Sequence, residues 1–100
     1  MTVDPESLLL AEIVSADRVT ADSMYAKLKA GADFEGLAKE YSTSETAERG
    51  GYMGKVNLSV FPLARRDRLL QLQEEEFTPP VPLSGNYVIY KRVRRGPVVG

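Results

Sequence analysis

The sequence has 100 residues, a formal net charge of −1 at neutral pH, and neither cysteine nor histidine. A chain of this length is expected to form one domain with one hydrophobic core. A charge near zero argues against binding to nucleic acid or membranes through bulk charge. Without cysteine and histidine, disulfides, thiolate chemistry and the commonest metal ligand are excluded. No apolar run approaches the ~20 residues of a spanning helix, so no membrane contact is expected for this domain. No cofactor and no metal ion are expected either.

The N-terminal half is predicted to begin with a strand from Ser7 to Ser15, although its run of three leucines would also suit a helix. Alternation along a strand would place Leu10 and Glu12 on one face, and Ala11 and Ile13 on the other. Glu12 is unusual because it interrupts an otherwise apolar stretch. A first interpretation of Glu12 is a carboxylate in contact with water on an edge strand.

Two helices are predicted to follow this strand. The first runs from Thr20, as its N-cap, to Ala30. The second begins after Asp33, whose carboxylate suits an N-cap. Its core-facing side, set by the helical repeat, comprises Phe34, Leu37, Ala38 and Tyr41. The polar loop from Ser42 to Arg49 contains two glutamates and no aspartate, which fits a metal-binding loop poorly.

The C-terminal half is predicted to contain one helix and two strands. A short extended piece ends at Gly54, and a helix from about Pro62 to Gln73 directs Leu69, Leu70 and Leu72 inward. The remaining elements are a short strand Phe77-Thr78, a stiff segment Pro79-Pro80-Val81-Pro82, a turn Ser84-Gly85-Asn86 and a central strand from Tyr87 to Val93. Because each proline restricts its own backbone and that of its predecessor, the proline segment is interpreted as a rigid connector. A PxxP-type ligand is the alternative.

The order strand, helix, helix, extended piece, helix, strand, strand predicts an α+β fold with a small sheet covered by helices. Nine residues are predicted to form its core: Leu10, Met24, Leu28, Phe34, Leu37, Tyr41, Leu69, Leu72 and Ile89. Residues 1–95 are expected to form the domain. Residues 96–100 are expected to be a tail, or a linker to other domains of a longer parent chain.

One part of the sequence resembles a known family. The run GADFEGLAKEYSTSETAERGGYMG, from Gly31 to Gly54, is similar to the pattern of parvulin-type prolyl isomerases, also called rotamase or PpiC-type domains. That pattern reads GADF-x-x-LA-x-x-YS, a variable loop and RGGDLG. The family's helix, PPV turn and last strand (GYHIIKV) resemble PLARRDRLLQLQ, Pro79-Pro80-Val81 and NYVIYKRV. The resemblance implies a parvulin-like four-stranded antiparallel sheet surrounded by helices.

The same resemblance assigns candidate site positions in this chain. The family's two histidines, its cysteine or aspartate, and a hydroxyl residue before the last strand match Glu12, Val88, Ser44 and Leu83 respectively. The leucine, methionine and phenylalanine of the family's proline pocket match Met53, Phe61 and Arg65, and Tyr87 is a further candidate for peptide contact. In a second interpretation, Glu12 therefore faces the cleft. It would then approach the opposite charge of Arg65 across that cleft, directly or through water.

An X-Pro bond turns slowly because rotation breaks amide resonance, with a barrier of about 18–20 kcal/mol. Catalysis needs a pocket for the proline ring and polar groups that favour the twisted amide. Since the polar groups of the family are largely replaced, we expect a module that binds unfolded or proline-containing polypeptide within a chaperone or foldase, with little or no isomerase activity. An active PpiC-type isomerase is the alternative, and a nucleic-acid or peptide-motif adaptor that uses the basic last strand is a remote third hypothesis. The resemblance favours a periplasmic or other extracytoplasmic location.

Overall fold

The computed structural model describes residues 7–93, which form four strands and three α-helices. The strands are β1 (Ser7–Ser15), β2 (Tyr52–Asn57), β3 (Val81–Leu83) and β4 (Asn86–Arg92). The helices are α1 (Arg18–Lys29), α2 (Phe34–Tyr41) and α3 (Leu63–Leu70), with 3₁₀ helices at Glu45–Arg49 and Leu58–Val60. The tail predicted for residues 96–100 lies outside the described residues.

The four strands form one antiparallel sheet in the order β2-β1-β4-β3, which confirms the predicted α+β fold. β1 and β4 occupy the centre, where Glu12 lies opposite Tyr90 and Ile13 opposite Ile89. A strand covered on both faces is expected to be apolar on both, and the sequence of β1 fits that expectation except at Glu12. The first interpretation of Glu12, as an edge-strand carboxylate, is wrong because β1 pairs with a neighbour on each side.

Each face of the sheet packs against its own helices. Ala11 and Ile13 lie in a buried cluster with residues of α1 and α2. Leu10 and Val88 lie in a second cluster, on the face that packs against Leu69 of α3. The alternation predicted along β1 is therefore confirmed. Because side chains alternate along a strand, Glu12 belongs to the face of α3.

Helix α1 begins earlier than predicted, and its N-cap is Asp17 rather than Thr20. The carboxylate of Asp17 accepts hydrogen bonds from the backbone N–H groups of Val19 and Thr20. The hydroxyl of Thr20 donates to the same carboxylate. This side-chain bond, followed by the two backbone bonds, holds the pKa of Asp17 below its ordinary value of 3.8. A carboxylate at this position satisfies free N–H groups and suits the positive end of the helix dipole.

The predicted core is confirmed at every position except Tyr41. The buried residues are Leu10, Met24, Leu28, Phe34, Leu37, Leu69, Leu72 and Ile89. Helix α2 is capped by Asp33, as predicted. Tyr41 is 40% exposed, and the ammonium group of Lys27 lies 5.2 Å from the centre of its ring. Because α2 ends at Tyr41, no further turn of the helix covers the ring.

Several boundaries in the C-terminal half differ from the prediction. β2 continues past Gly54, and α3 ends at Leu70 instead of Gln73. Leu70 is 39% exposed, whereas Leu69 is fully buried. Consecutive positions of a helix point in directions about 100° apart, so both leucines cannot face the core. Phe77 forms an isolated bridge with Lys91 in place of a strand.

Candidate functional site

The carboxylate of Glu12 is held by two hydroxyl groups from one loop. Oγ of Ser44 donates to Oε2 of Glu12 at 2.7 Å, and Oγ1 of Thr46 donates to the same oxygen at 2.8 Å. Ser44 also caps the 3₁₀ helix Glu45–Arg49 by accepting from the N–H of Thr46. The fold therefore brings together the two positions that match a histidine and a cysteine or aspartate in the parvulin pattern.

Two glycines place the backbone of this loop against β1. Gly50 and Gly51 have φ angles of +68° and +86°. The backbone of residues that carry a Cβ rarely adopts this conformation. The carbonyl of Gly51 accepts from the N–H of Glu12 at 2.8 Å. A Cβ on Gly51 would lie 2.2 Å from the carbonyl oxygen of Glu12. The glycines of this chain's RGG motif are therefore required for the close approach that positions Glu12.

The start of the same loop is fixed to the end of β1. The hydroxyl oxygen of Ser42 accepts from the backbone N–H of Val14 at 3.0 Å, and the N–H of Thr43 donates to the Val14 carbonyl at 2.9 Å. Serine and threonine readily form such bonds to the backbone in place of regular secondary structure. The loop is thus attached to β1 at both ends, which fixes the positions of the two hydroxyl groups on Glu12.

Tyr90 lies across from Glu12 on β4 and was missed as a site residue from the sequence. It is 2% exposed, and its ring makes an edge-on contact with Phe61 at a centroid distance of 5.7 Å. Burial raises the pKa of the Tyr90 hydroxyl; the positive charge of Arg65 lowers it and the negative charge of Glu12 raises it. The hydroxyl therefore remains protonated at neutral pH and lies within electrostatic reach of both charges. The alternation of side chains along β4 could have indicated Tyr90 as a site residue, because this alternation places Tyr90 on the same face as Val88.

The apolar side of the site is formed by Met53 and Phe61, which pack against the buried cluster under α3. Met53 comes from β2, and Phe61 follows the second 3₁₀ helix. Both side chains are half-buried. Val88, the position that matches the family's second histidine, is buried in the same cluster. Its isopropyl group can contribute packing to this site, and it offers no hydrogen bond.

Arg65 contacts β3 instead of Glu12. Its Nη2 donates to the carbonyl oxygen of Pro82 at 3.1 Å. Among residues 7–93, no ion pair joins Arg65 to Glu12. Direct pairing across the cleft is therefore not formed, and both charges instead act on the hydroxyl of Tyr90. Leu83, beside Pro82 at the end of β3, is 37% exposed and carries no polar group in its side chain.

Tyr87 lies apart from the other candidate residues. It shares the face of Ile89, which packs against α1 and α2, because side chains alternate along β4. It lines a cavity of about 400 Å³ on that side, together with Arg18, Asp22, Tyr25, Pro79, Pro80 and Pro82. The structure therefore places Tyr87 on the face of the sheet opposite to Met53 and Phe61.

The site combines a carboxylate, two hydroxyl groups and a protonated phenol with an apolar wall. The hydroxyl groups donate to the carboxylate, and the wall of Met53 and Phe61 offers apolar contact. Within residues 7–93, no three acidic, cysteine or histidine side chains are arranged to hold a metal ion. In the same part of the chain, no helix is long and apolar enough to cross a membrane.

Comparison with known proteins identifies the family. The model of the rotamase family, described as the PPIC-type PPIASE domain, matches residues 11–94. Chaperone SurA of Pseudomonas syringae pv. tomato is 34% identical over 85 residues, which cover 85% of this chain and 20% of SurA. Periplasmic chaperone PpiD of Haemophilus influenzae is 36% identical over 81 residues, or 80% of this chain and 13% of PpiD. The chain thus spans a fifth or less of the length of these relatives.

Solved structures show the same fold. The crystal structure of PrsA from Bacillus subtilis superposes with a TM-score of 0.79 at 31% identity, covering 93% of this chain and 37% of that protein. Peptidylprolyl isomerase (PrsA) from Bacillus cereus superposes with a TM-score of 0.81 at 28% identity, covering 92% of this chain and 36% of that one. From the sequence match and the shared sheet and helices, the chain belongs to the family of PpiC-type (parvulin) peptidyl-prolyl isomerase domains.

Proposed function

We propose that this chain is the module of a folding chaperone or foldase that binds unfolded or proline-containing polypeptide, with little or no isomerase activity. The relatives that it resembles are named chaperone SurA, periplasmic chaperone PpiD and foldase protein PrsA. Met53 and Phe61 supply apolar surface for a proline ring or another apolar side chain, because burial of apolar area needs no catalytic groups. The other domains of such a chaperone would belong to a longer parent chain, and a periplasmic or extracytoplasmic location fits these relatives.

One observation carries the proposal of low activity: the hydroxyl groups near the cleft already donate their hydrogens to bonds within the domain. Ser44 and Thr46 both donate to the carboxylate of Glu12. A hydroxyl group has a single hydrogen to donate, so neither is free to stabilise a twisted X-Pro amide while those bonds persist. The chain contains no histidine that could replace them. The electrostatic contribution that accelerates such reactions in preorganised sites is therefore expected to be small.

The basic last strand supports a polypeptide partner over a nucleic acid. Lys91 forms an ion pair with Glu75 at 3.4 Å. The guanidinium group of Arg92 donates to the carbonyl of Leu72 at 2.8 Å. The ion pair neutralises the charge of Lys91, whereas nucleic-acid binding requires cations that can neutralise phosphates. Arg94 and Arg95, the other two cations of the nucleic-acid hypothesis, lie outside the described residues. Because the net charge of the chain is near zero, we expect no nucleic-acid partner.

Exchange NMR on a blocked peptide with one Ala-Pro bond tests the proposal, because it reports binding and cis–trans exchange together. We expect shifts of peptide signals at high domain concentration. With catalytic amounts of the domain, we expect exchange close to the uncatalysed rate. A catalytically active parvulin at equal concentration is the reference. Acceleration comparable to this reference would reject the low activity, and a lack of shifts with every proline-containing or unfolded polypeptide would reject the binding role.

The alternative, an active isomerase, is favoured by the Tyr90 hydroxyl. This group stays protonated and lies near the charges of Glu12 and Arg65. Tyr90 is 2% exposed, so a hydrogen bond from its hydroxyl to a substrate carbonyl would require the surrounding side chains to move. If the exchange experiment detects catalysis, Tyr90→Phe is expected to remove most of it and leave peptide binding within about twofold. Catalysis that persists in this variant would exclude the Tyr90 hydroxyl as its source.

A further inference from the structure

Two arginines on one side of α3 line a surface cavity next to the candidate cleft. Arg65 and Arg68 are three positions apart, a spacing that places helical side chains on the same face. With Ala64, they border a cavity of about 270 Å³ whose opposite wall is the proline segment Pro80-Val81-Pro82. The cavity therefore has a cationic side and an apolar side.

The charges of these two arginines are not neutralised within the described part of the chain. No carboxylate of residues 7–93 forms an ion pair with Arg65 or Arg68. Arg65 and Arg68 thus bring two positive charges to the cavity, and none of the residues that line it is acidic. A local excess of positive charge beside apolar walls attracts an anionic group that also carries aliphatic carbon.

Arg65 is held in place by the protein before any ligand binds. Its Nη2 donates to the carbonyl of Pro82 at 3.1 Å, which holds the guanidinium group near β3. The Nε of Arg65 is buried and has no hydrogen-bond partner among the described residues. A guanidinium group has five N–H donors; with Nε buried and one hydrogen of Nη2 donated to Pro82, the two hydrogens of Nη1 and the second hydrogen of Nη2 remain for a ligand. Arg68 is exposed at the rim, where its side chain is able to turn toward a ligand.

The cavity adjoins the cleft of Met53 and Phe61 through Arg65. Arg65 acts electrostatically on the hydroxyl of Tyr90, and Tyr90 is in contact with Phe61. Helix α3, which carries Arg65, packs on the face of the sheet where Met53 and Phe61 lie. One polypeptide segment could therefore place an apolar side chain on Phe61 and a nearby residue in the cavity.

We propose that Arg65 and Arg68 form a carboxylate-binding subsite that selects polypeptide segments with a glutamate or aspartate side chain close to a proline or apolar residue. The inference rests on the proposed polypeptide-binding function and adds a sequence preference to it. Carboxylate is the chemistry that fits, because guanidinium groups bind it with paired, charge-assisted hydrogen bonds. The apolar walls Ala64, Val81 and Pro82 provide contact for the methylene groups of glutamate.

Titration of two series of blocked peptides tests the subsite. Each peptide contains one proline, and a single glutamate, or a glutamine in the matched series, is moved from three residues before the proline to three after it. Acetylated and amidated ends remove the terminal charges. We expect the glutamate peptide to bind about three- to fivefold more tightly than its glutamine partner at one or two neighbouring positions, as is typical of partly exposed ion pairs. The preference should fall as salt is raised, because salt screens exposed charges.

Variants test whether the two arginines cause the preference for glutamate over glutamine. Arg68→Gln changes an exposed side chain, so the fold is expected to remain intact, and the glutamate preference is expected to fall below about twofold. Arg65→Gln should have the same effect, and Arg65→Lys should retain only part of the preference, because lysine cannot form paired bonds. Lys39→Gln on α2 is the matched control. It removes one exposed positive charge on the opposite side of the sheet, and it should leave the preference unchanged.

The possible outcomes separate this inference from the function on which it rests. If peptides of both series bind equally at every position, or if Arg68→Gln and Lys39→Gln behave alike, the carboxylate subsite is wrong and the binding function stands. If a preference for glutamine or for an added lysine is found instead, the subsite is also wrong. If no peptide binds at all, the proposed function itself fails.

Discussion

Oγ of Ser44 donates a hydrogen bond of 2.7 Å to Oε2 of Glu12, across a separation of 32 residues in the sequence. Both positions match polar site residues of the parvulin pattern, and in this chain they satisfy each other. A carboxylate on a central strand would be costly without such partners. The hydroxyl groups of Ser44 and Thr46 therefore stabilise Glu12 by donating their hydrogens to its carboxylate.

Removal of one of these hydroxyl donors should destabilise the domain through Glu12. Thr46→Val keeps the shape of the side chain and deletes the 2.8 Å bond to the carboxylate. We expect a loss of about 1–2 kcal/mol in the free energy of unfolding, a typical effect for a bond to a charged group at a partly buried site. Urea denaturation provides the measurement. Ser23→Ala, at an exposed position of α1, should change stability by less than about 0.5 kcal/mol.

A double-mutant cycle tests whether Thr46 acts through Glu12. In the background of Glu12→Gln, Thr46→Val should cost less by at least about 0.5 kcal/mol, because the charged acceptor is absent. Equal costs in the two backgrounds would mean that the Thr46 hydroxyl stabilises the loop independently of the carboxylate.

Gly51 should tolerate a side chain far less well than Gly54. Both have positive φ angles, +86° and +85°. A Cβ on Gly51 would meet the Glu12 carbonyl oxygen at 2.2 Å, whereas a Cβ on Gly54 would meet nothing within 4 Å. Gly54→Ala is expected to cost about 1–2 kcal/mol from backbone strain, and Gly51→Ala about 3 kcal/mol or more once the clash is added.

Thermal unfolding of the two glycine variants gives this comparison directly, since the backbone conformation is matched and only the surroundings differ. Similar losses of stability in both would show that the loop moves away from β1 at little cost. In that case the position of Glu12 would be less constrained than the close approach at Gly51 implies.

Phe34 and Tyr41, at the two ends of α2, should differ strongly in their contribution to stability. Phe34 is 4% exposed within the cluster that joins α2 to the sheet, so Phe34→Ala should cost about 3–5 kcal/mol. Tyr41 is 40% exposed, and Tyr41→Ala should cost about 1 kcal/mol or less, including its contact with Lys27. Chemical denaturation of both variants measures the difference. A cost below about 1 kcal/mol for Phe34→Ala would contradict the packing of α2.

The N-cap of α1 should produce a small acid dependence of stability. Hydrogen bonds from Thr20 and Val19 lower the pKa of Asp17 in the folded state below 3.8, its ordinary value. The contribution of this carboxylate to stability is therefore complete above that value and is lost as pH falls through the folded-state pKa. NMR titration of the Asp17 carboxyl signal measures the shift. Thr20→Val, which removes the largest cause, should move the pKa of Asp17 back toward 3.8. An unchanged pKa would assign the shift to the backbone bonds.

The sequence by itself determined the elements whose causes are local. Alternation identified β4, the mainly apolar run from Ser7 to Ser15 was interpreted as β1, and Asp33 identified the start of α2, because side-chain period and capping act over a few neighbouring residues. The resemblance, from the motif Gly31 to Gly54 through the last strand, was sufficient to predict the four-stranded sheet with its helices. Eight of the nine predicted core residues are buried, because apolar periodicity marks the face of a helix or strand that packs against its neighbours.

Tertiary structure alone decided which side chains meet and which donors remain available. The pairing of Ser44 and Thr46 with Glu12, the contact of Arg65 with Pro82, and the separation of Tyr87 from the cleft all depend on residues distant in the chain. The side chain of Tyr41 fits a helical stripe in sequence, yet it stays exposed because α2 ends at that residue. Such features follow from strand order, loop attachment and helix length. Contacts of this kind bring together groups that no local pattern relates to one another.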